Sequence, residues 1–300
     1  MNQPNYMFGP DYFAAQQRVF EGLGIIRPDE YLEYFCYNWE DASIAAGTSY
    51  AVPGGYEDTT VRLDQDADFL VMAAMYRATS DIGIFTRLIN QSTGQFLFSK
   101  ECDVSCIAGQ AILDSTFGTP TGSTRGWGYS AMKFPSPIRI PGGTAIVAQN
   151  ADWSGSTNAL YLSLHGAKVR RGVAPWLQNG WRKRETFIYT DTIQVPASGV
   201  APLNFSIHQD AHFVCYAITA TVQGDATIQI KDGGTDRNWS DRAMRIRNMV
   251  GTGRFPHILE APRMCYINSA ITVTLADLSA ATNDIRIHLI GEKLYIPGSR

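Results

Sequence analysis

Charge is scarce in this sequence. Asp, Glu, Lys and Arg make up 18% of its 300 residues, against about 25% in an average globular chain, so much of the surface falls to Ser, Thr, Asn, Gln and Gly. Positive charge is not in excess either. The 25 Lys and Arg are set against 28 Asp and Glu, for a formal charge of -3, which leaves no global positive field to draw in nucleic acid or an anionic membrane. Long apolar runs are missing: the strongest, Phe69 to Tyr76, is far short of the roughly 20 residues that cross a bilayer. The opening Met1-Asn2-Gln3-Pro4-Asn5-Tyr6 has neither the basic start nor the apolar core of an export signal, and none is expected. The five cysteines, Cys36, Cys102, Cys106, Cys215 and Cys265, are odd in number and scattered. They read as reduced thiols, not as a disulfide framework.

Catalytic signatures are absent as well. No glycine-rich loop ends in Lys-Ser/Thr before a helix, and Gly54-Gly55 and Gly142-Gly143 read as turns between strands. No Gly-x-Ser-x-Gly string marks a nucleophile elbow. Cys102 and Cys106, in a segment expected to be extended, have no second close Cys/His pair to complete a zinc site. His208, Asp210 and His212 fall on one face of an expected strand, as do Asp64, Asp66 and Asp68, and both sets read as solvated faces. The adjacent carboxylates Glu40-Asp41 and Glu57-Asp58 would point to opposite sides of a strand. No catalytic residue, metal ligand or cofactor is expected.

What the sequence does contain is a repeat. Val52-Pro53 with Gly55 is set against Val195-Pro196 with Gly199. Gln65-Asp66-Ala67-Asp68-Phe69-Leu70-Val71 matches Gln209-Asp210-Ala211-His212-Phe213-Val214-Cys215. Thr86 to Gln91 is set against Thr227 to Asp232. Phe134-Pro135 and Pro141 are set against Phe255-Pro256 and Pro262. Finally, Asn158 to Lys168 is set against Asn283 to Lys293, both ending in Gly-x-Lys, with His165 and His288 at near-matching positions that read as strand surface or interface. Between the last two blocks the first copy carries extra Gly, Ser and Thr around Ala108 to Met132, the composition of a surface loop. Short Val, Ile, Leu, Phe, Tyr and Thr runs punctuated by Gly, Pro, Asn and Asp indicate strands throughout.

The expected fold is mainly β: two tandem β-sandwich, jelly-roll-like domains behind a short N-terminal helical arm. The arm spans 1–30, the first sandwich 31–172, a basic and Trp-bearing linker 173–186, and the second sandwich 187–300. In the arm, Asp11 is a candidate N-cap for a helix from Tyr12 to Leu23. Phe13 and Phe20 lie on that helix, which either packs on the first sandwich or reaches a neighbouring subunit. Basic residues Arg170, Arg171, Arg182, Lys183 and Arg184 flank Trp176 and Trp181. These nine residues are the candidate interface, suited to an acidic surface on a partner protein.

The second copy, from Gln209-Asp210-Ala211-His212-Phe213 through Gly251-Thr252-Gly253-Arg254-Phe255-Pro256 to Gly291-Glu292-Lys293-Leu294-Tyr295, resembles virion structural proteins of tailed bacteriophages. The first copy departs from that pattern: it lacks the Gly-Thr-Gly turn and ends in Val169-Arg170. The resemblance implies a non-enzymatic cement, decoration or minor head protein, assembled in the host cytoplasm and residing in the virion as a homo-oligomer. Its partners would be copies of itself and the major capsid, head or collar proteins, with no membrane, nucleic acid or small-molecule ligand. A double-jelly-roll major capsid protein is the neighbouring reading. With 6 Trp, 14 Tyr and 14 Phe, a carbohydrate- or receptor-binding module is a third, and an enzyme the last.

Overall fold

Alternating apolar and polar side chains drive this chain into antiparallel strands whose two faces meet different surroundings. The structure is a computed structural model and describes residues 9–47, 55–79, 83–97, 101–109, 131–178, 181, 183–251 and 256–295. The first unit holds β1 (Glu30–Ile44), β2 (Glu57–Arg62), β3 (Asp68–Ala78), β4 (Ile84–Asn90), β5 (Gln95–Phe96), β6 (Cys102–Asp103), β7 (Met132–Ile140), β8 (Ala145–Asp152) and β9 (Asn158–Arg171). The second holds β10 (Lys183–Val195), β11 (Val200–Ser206), β12 (Ala211–Val222), β13 (Ala226–Asp232), β14 (Arg237–Asn238), β15 (Met244–Arg245), β16 (His257–Cys265), β17 (Ala270–Asp277) and β18 (Asn283–Tyr295).

Sheet order makes the two units the same object. The first pairs β1-β9-β3-β7 in one sheet and β2-β8-β4-β5 in the other, with β6 on β4. The second pairs β10-β18-β12-β16 and β11-β17-β13-β14, with β15 on β13. Two such sheets closed over one apolar core, with every strand matched in order, form a jelly roll. In the first unit that core joins Phe35, Tyr37, Trp39, Phe69 and Leu164 of one sheet to Ile84, Leu88 and Ile146 of the other.

Register shows which residues the repeat preserves. β3 bulges between Val71 and Ala73 where it faces Gly166 of β9, and β12 bulges between Cys215 and Ala217 where it faces Gly291 of β18. A Cβ on Gly166 would lie 2.9 Å from the Leu70 carbonyl carbon and closer still to its oxygen, and one on Gly291 would lie 2.8 Å from the Val214 carbonyl carbon. Glycine is therefore required by the close approach of the bulged backbone. Two residues on, the Lys168 ammonium meets Asp64 (2.6 Å) and Asp66 (2.9 Å) and lies over the Phe35 ring, 4.2 Å from its centre. Lys293 does the same with His208 (2.8 Å), Asp210 (3.0 Å) and the Phe187 ring (4.4 Å). The Tyr37 hydroxyl accepts from the Asp64 amide, as Tyr189 does from His208. This tie pins the strand-to-strand turn over one end of each barrel. Replacing Lys293 by Met, which keeps the buried stem but drops the charge-assisted bonds, should cost about 1–2 kcal/mol in urea unfolding.

Several expectations change. His208 and Asp210 precede β12, while His212 lies within it and accepts from the Ile267 amide through Nδ1, so the three do not share a strand face. The third repeat block slips by one residue: Ile84 and Ala226 both face the residue ending the neighbouring strand, Asp152 and Asp277, which aligns Thr86 with Ile228. A one-residue slip exchanges the two faces of a strand, and the burial pattern fixes the register. In the fourth block Phe69 faces Ile140 and Phe213 faces Cys265, so Pro262 matches Pro137, not Pro141. On the same register His165 matches Ile290, and His288 matches Ser163. Cys102 opens the short strand β6 and Cys106 sits in a single helical turn, α2 (Val104–Ile107), where the sequence suggests an extended segment; α1 (Pro10–Gly22) is the longer helix. Most of the Gly/Ser/Thr insertion lies outside the described residues, as does Val52-Pro53.

Helix α1 has Gly9 as its N-cap and Pro10 at its first position, with Asp11 inside the first turn and not capping. Proline there loses no intrahelical bond, and the acid complements the helix dipole. Its Phe13 stacks on Tyr216 at 5.4 Å and joins Trp176, Val214, Met264 and Leu294 over the outer face of the β10-β18-β12-β16 sheet. The helix thus packs within its own chain, against the second unit.

Candidate functional site: the junction between the two jelly rolls

The outer face of the β1-β9-β3-β7 sheet is roofed by the second jelly roll. Along β1, Phe35, Tyr37 and Trp39 enter the unit's own core while Leu32, Tyr34 and Cys36 join the core of the other unit, which explains a strand buried on both faces. β1 is also an edge strand, and its edge is closed by the segment after β14. The Cys36 amide donates to the Trp239 carbonyl (3.1 Å) and the Asp241 amide to the Cys36 carbonyl (3.2 Å). The Asp241 carboxylate accepts from the Asn38 amide (3.0 Å) and side chain (2.8 Å). Burial raises the Asp241 carboxyl, partly offset by Asn38 and Arg242.

A second layer of polar contacts crosses the sheet. Asn248 donates to the Tyr161 carbonyl (2.9 Å) and to the Ser163 hydroxyl (3.1 Å), which in turn donates to Asn38 (2.8 Å). Arg245 meets the Tyr161 hydroxyl (2.6 Å) and Asp225 (3.0 Å). Removing the Asn248 amide as Asn248→Ala should cost about 1–2 kcal/mol and speed hydrogen exchange along β9 and β16 without unfolding either unit. Unchanged exchange there would remove Asn248 from the docking contacts.

The charged centre is Glu33 on β1. Its carboxylate meets Arg263 (3.2 Å), Arg170 (2.9 Å) and Arg237 (3.4 Å), and Arg263, 1% exposed, also donates to the Tyr34 carbonyl (3.1 Å). Burial by itself would raise the Glu33 carboxyl, but Arg263, Arg170 and Arg237 outweigh it and hold the group below its ordinary value.

Beside this network lies a set of titratable groups, most of whose polar atoms have no hydrogen-bond partner among the described residues. His165 on β9 faces His257 and Glu260 on β16, all three fully buried, with one ligand atom of each within 4.8 Å of the others. The two imidazoles sit 4.9 Å apart, and His257 Nε2 is 3.8 Å from Glu260. Three positions apart on a strand, His257 and Glu260 would point to opposite sides. They converge because β16 loops out between Ile258 and Arg263 at the β12 bulge. Desolvation pushes His165 down to about 3, which the nearby Asn248 backbone offsets in part, pushes His257 well below its usual range, and raises Glu260 to about 7. Among the described residues this is the cluster able to gather round an ion.

The candidate interface residues are placed as follows. Phe13, Phe20 and Trp176 are buried within the chain, and Trp181 packs against His212. Arg170 is held by Glu33 and Asp66, Arg171 is exposed at the end of β9, and Lys183 and Arg184 begin β10, the latter donating to the Trp176 carbonyl. Arg182 lies outside the described residues. The junction was missed by sequence reading because its partners come from strands distant in the chain, and no local spacing announces them.

No protein-family profile matches the chain, and no curated protein matches it. Among solved structures it is similar to one of Sulfolobus turreted icosahedral virus, at 10% identity and a TM-score of 0.26, covering 79% of this chain and 56% of that one. It is similar to a triple-jelly-roll turret structure from an archaeal virus, at 12% identity, a TM-score of 0.26 and the same coverage. A third likeness is to the PBSX exported protein XepA, at 9% identity and a TM-score of 0.17, covering 87% of this chain and 84% of that one. The chain thus spans little more than half the length of the first two. Its jelly-roll topology rests on the strand order above and not on these likenesses.

Proposed function

We propose that this chain is a structural protein of a virion, in which two jelly rolls locked into one block pack against neighbouring subunits. The observation that carries the reading is an edge used once and left open once. β1 has its edge closed by the second unit, while its equivalent β10 bears largely exposed residues and pairs, among the described residues, only with β18. An open edge of this length is a pairing surface that isolated proteins blunt or cover, and assembly covers it.

Jelly rolls also serve as sugar-binding lectins and cupins. Here Trp39, Trp176 and Trp239 are buried, which spends aromatics that a sugar platform would expose, and the first unit's interior is filled by apolar side chains. Within the virion class, the chain's slight negative charge favours a cement, decoration or minor head position over a shell lining that faces packaged genome. The tailed-phage source is supported by the resemblance of the second unit's strands and turns. The protein acts by binding its own copies and other head proteins, without catalysis.

Quantitative mass spectrometry of purified particles tests this. A copy number matching the capsid lattice supports shell or cement, and one matching the vertices supports a collar or vertex role. Absence from particles, combined with a strictly monomeric chain that ignores empty capsids, overturns the proposal; millimolar or tighter glycan binding would move the chain to the lectin class.

A further inference from the structure

Several buried side-chain atoms of the junction have no hydrogen-bond partner among the described residues, Asn248 Oδ1, Trp239 Nε1 and Arg263 Nε and Nη2 among them, and five belong to one cluster: His165 Nε2, both ring nitrogens of His257 and both carboxylate oxygens of Glu260. Each buried polar atom left unpaired costs on the order of 1–3 kcal/mol, and native interiors rarely carry several at one point. These five belong to metal-ligating residue types, and one ligand atom from each of the three residues lies within 4.8 Å of the others. The remaining ring nitrogen of His165, Nδ1, lies 2.9 Å from the Tyr34 hydroxyl. With the proton on Nδ1 and donated to Tyr34, Nε2 keeps a lone pair free to coordinate. That is the arrangement in which an outer partner fixes the tautomer of a histidine ligand.

We propose that His165, His257 and Glu260 bind a divalent transition-metal ion of the zinc class, which staples the first jelly roll to the second. Two imidazoles and one carboxylate form a ligand set that zinc accepts, with a fourth position for water. Ligands at bond lengths of about 2.0–2.2 Å stand about 3.3–3.6 Å apart in tetrahedral geometry, so the present separations, up to 4.8 Å, close by as much as about 1.5 Å when the ion enters.

Zinc takes imidazole in its neutral form and carboxylate in its charged form, and both kinds of ligand are present here. Lys133, the cation that most affects Glu260, is exposed and makes no ion pair with it. The set also does not belong to the duplicated scaffold. On the shared register, His165, His257 and Glu260 correspond to Ile290, Met132 and Pro135. The ligands exist only where the two units meet, one from the first and two from the second.

The full chain, stripped with a chelator and returned to buffer, is titrated with Zn2+ by calorimetry and with Co2+ by absorption. One ion per chain is expected, with visible Co2+ bands of a nitrogen- and oxygen-ligated site and a thermal midpoint raised by zinc. Glu260→Gln keeps the side chain's shape, and with His165→Ala it should weaken binding by about a hundredfold or more. Folded wild-type protein that takes up no ion, affinity unchanged in folded Glu260→Gln, or a thiolate-to-cobalt band placing the ion on cysteine would each overturn the site. The cobalt spectrum of wild type decides the matter even where a variant fails to fold.

Discussion

Gly291→Ala is expected to abolish cooperative folding of the second jelly roll or to cost more than about 4 kcal/mol, the range reserved for substitutions the native backbone cannot accommodate. The added methyl would fall 2.8 Å from the Val214 carbonyl carbon, nearer still to the oxygen, and 2.9 Å from the Phe213 ring. None of these is the free end of a flexible side chain. Relief requires β12 to leave β18, and that pairing runs from Ala211 to Val222 through the centre of the sheet. Gly166→Ala should act alike in the first unit. A Cβ on Gly22, at the end of α1, meets nothing within 4 Å, so Gly22→Ala serves as the control and should change little. Urea unfolding of the three variants checks this, and a Gly291→Ala midpoint near wild type would mean that the bulge is not fixed as described.

Glu33→Ala is expected to cost about 3–5 kcal/mol, because it strips the counter-charge from a buried guanidinium. Arg263 would keep the Tyr34 carbonyl but lose the one carboxylate it meets among the described residues, where Nε and Nη2 are already unpaired. Arg170 would keep Asp66, so the damage centres on the junction. The loss should also depend on pH. The folded-state value of Glu33 lies below the ordinary 4.5, so its contribution is complete above pH 4.5 and fades as pH falls through the folded value. The gap between wild type and Glu33→Gln should therefore be widest at neutral pH and narrow in acid. A gap that does not vary down to pH 3 would show that the arginines do not hold the carboxylate charged.

The repeat was most legible where backbone and charge constrain the residue type. Gly-x-Lys recurs because Gly166 and Gly291 face a bulge and Lys168 and Lys293 tie a turn. Two further signals were present and overlooked. Phe35-Cys36-Tyr37 and Phe187-Ile188-Tyr189 occupy the same positions on β1 and β10, each Phe under its lysine and each Tyr capping its turn. Asp152-x-Ser154 to Asn158 and Asp277-x-Ser279 to Asn283 form the same side-chain-bonded turn, the aspartate accepting from the serine amide and from the asparagine. The slipped third block shows the opposite case: alternation alone fixes a strand's period but not its phase, and a matching Thr outweighed the burial pattern. The junction was illegible for a different reason. Of its polar residues on β9 and β16, His165 reads from the sequence as strand surface or interface and Arg170 as a contact to a partner protein, since nothing local to either strand says that another domain of the same chain will cover them.

The helix α1 carries a consequence for biosynthesis. Phe13 is made near the start of the chain, yet its seat is formed by Tyr216, Met264 and Leu294. A ribosome must therefore deliver β18 before the seat of Phe13 is complete, and the roof over Tyr34 and His165 is equally late. The first unit emerges with an apolar sheet face uncovered, the kind of surface that exposes a nascent domain to aggregation and to chaperones. Maturation of this protein thus brings α1 and β18 together, a step completed only after translation has passed β18.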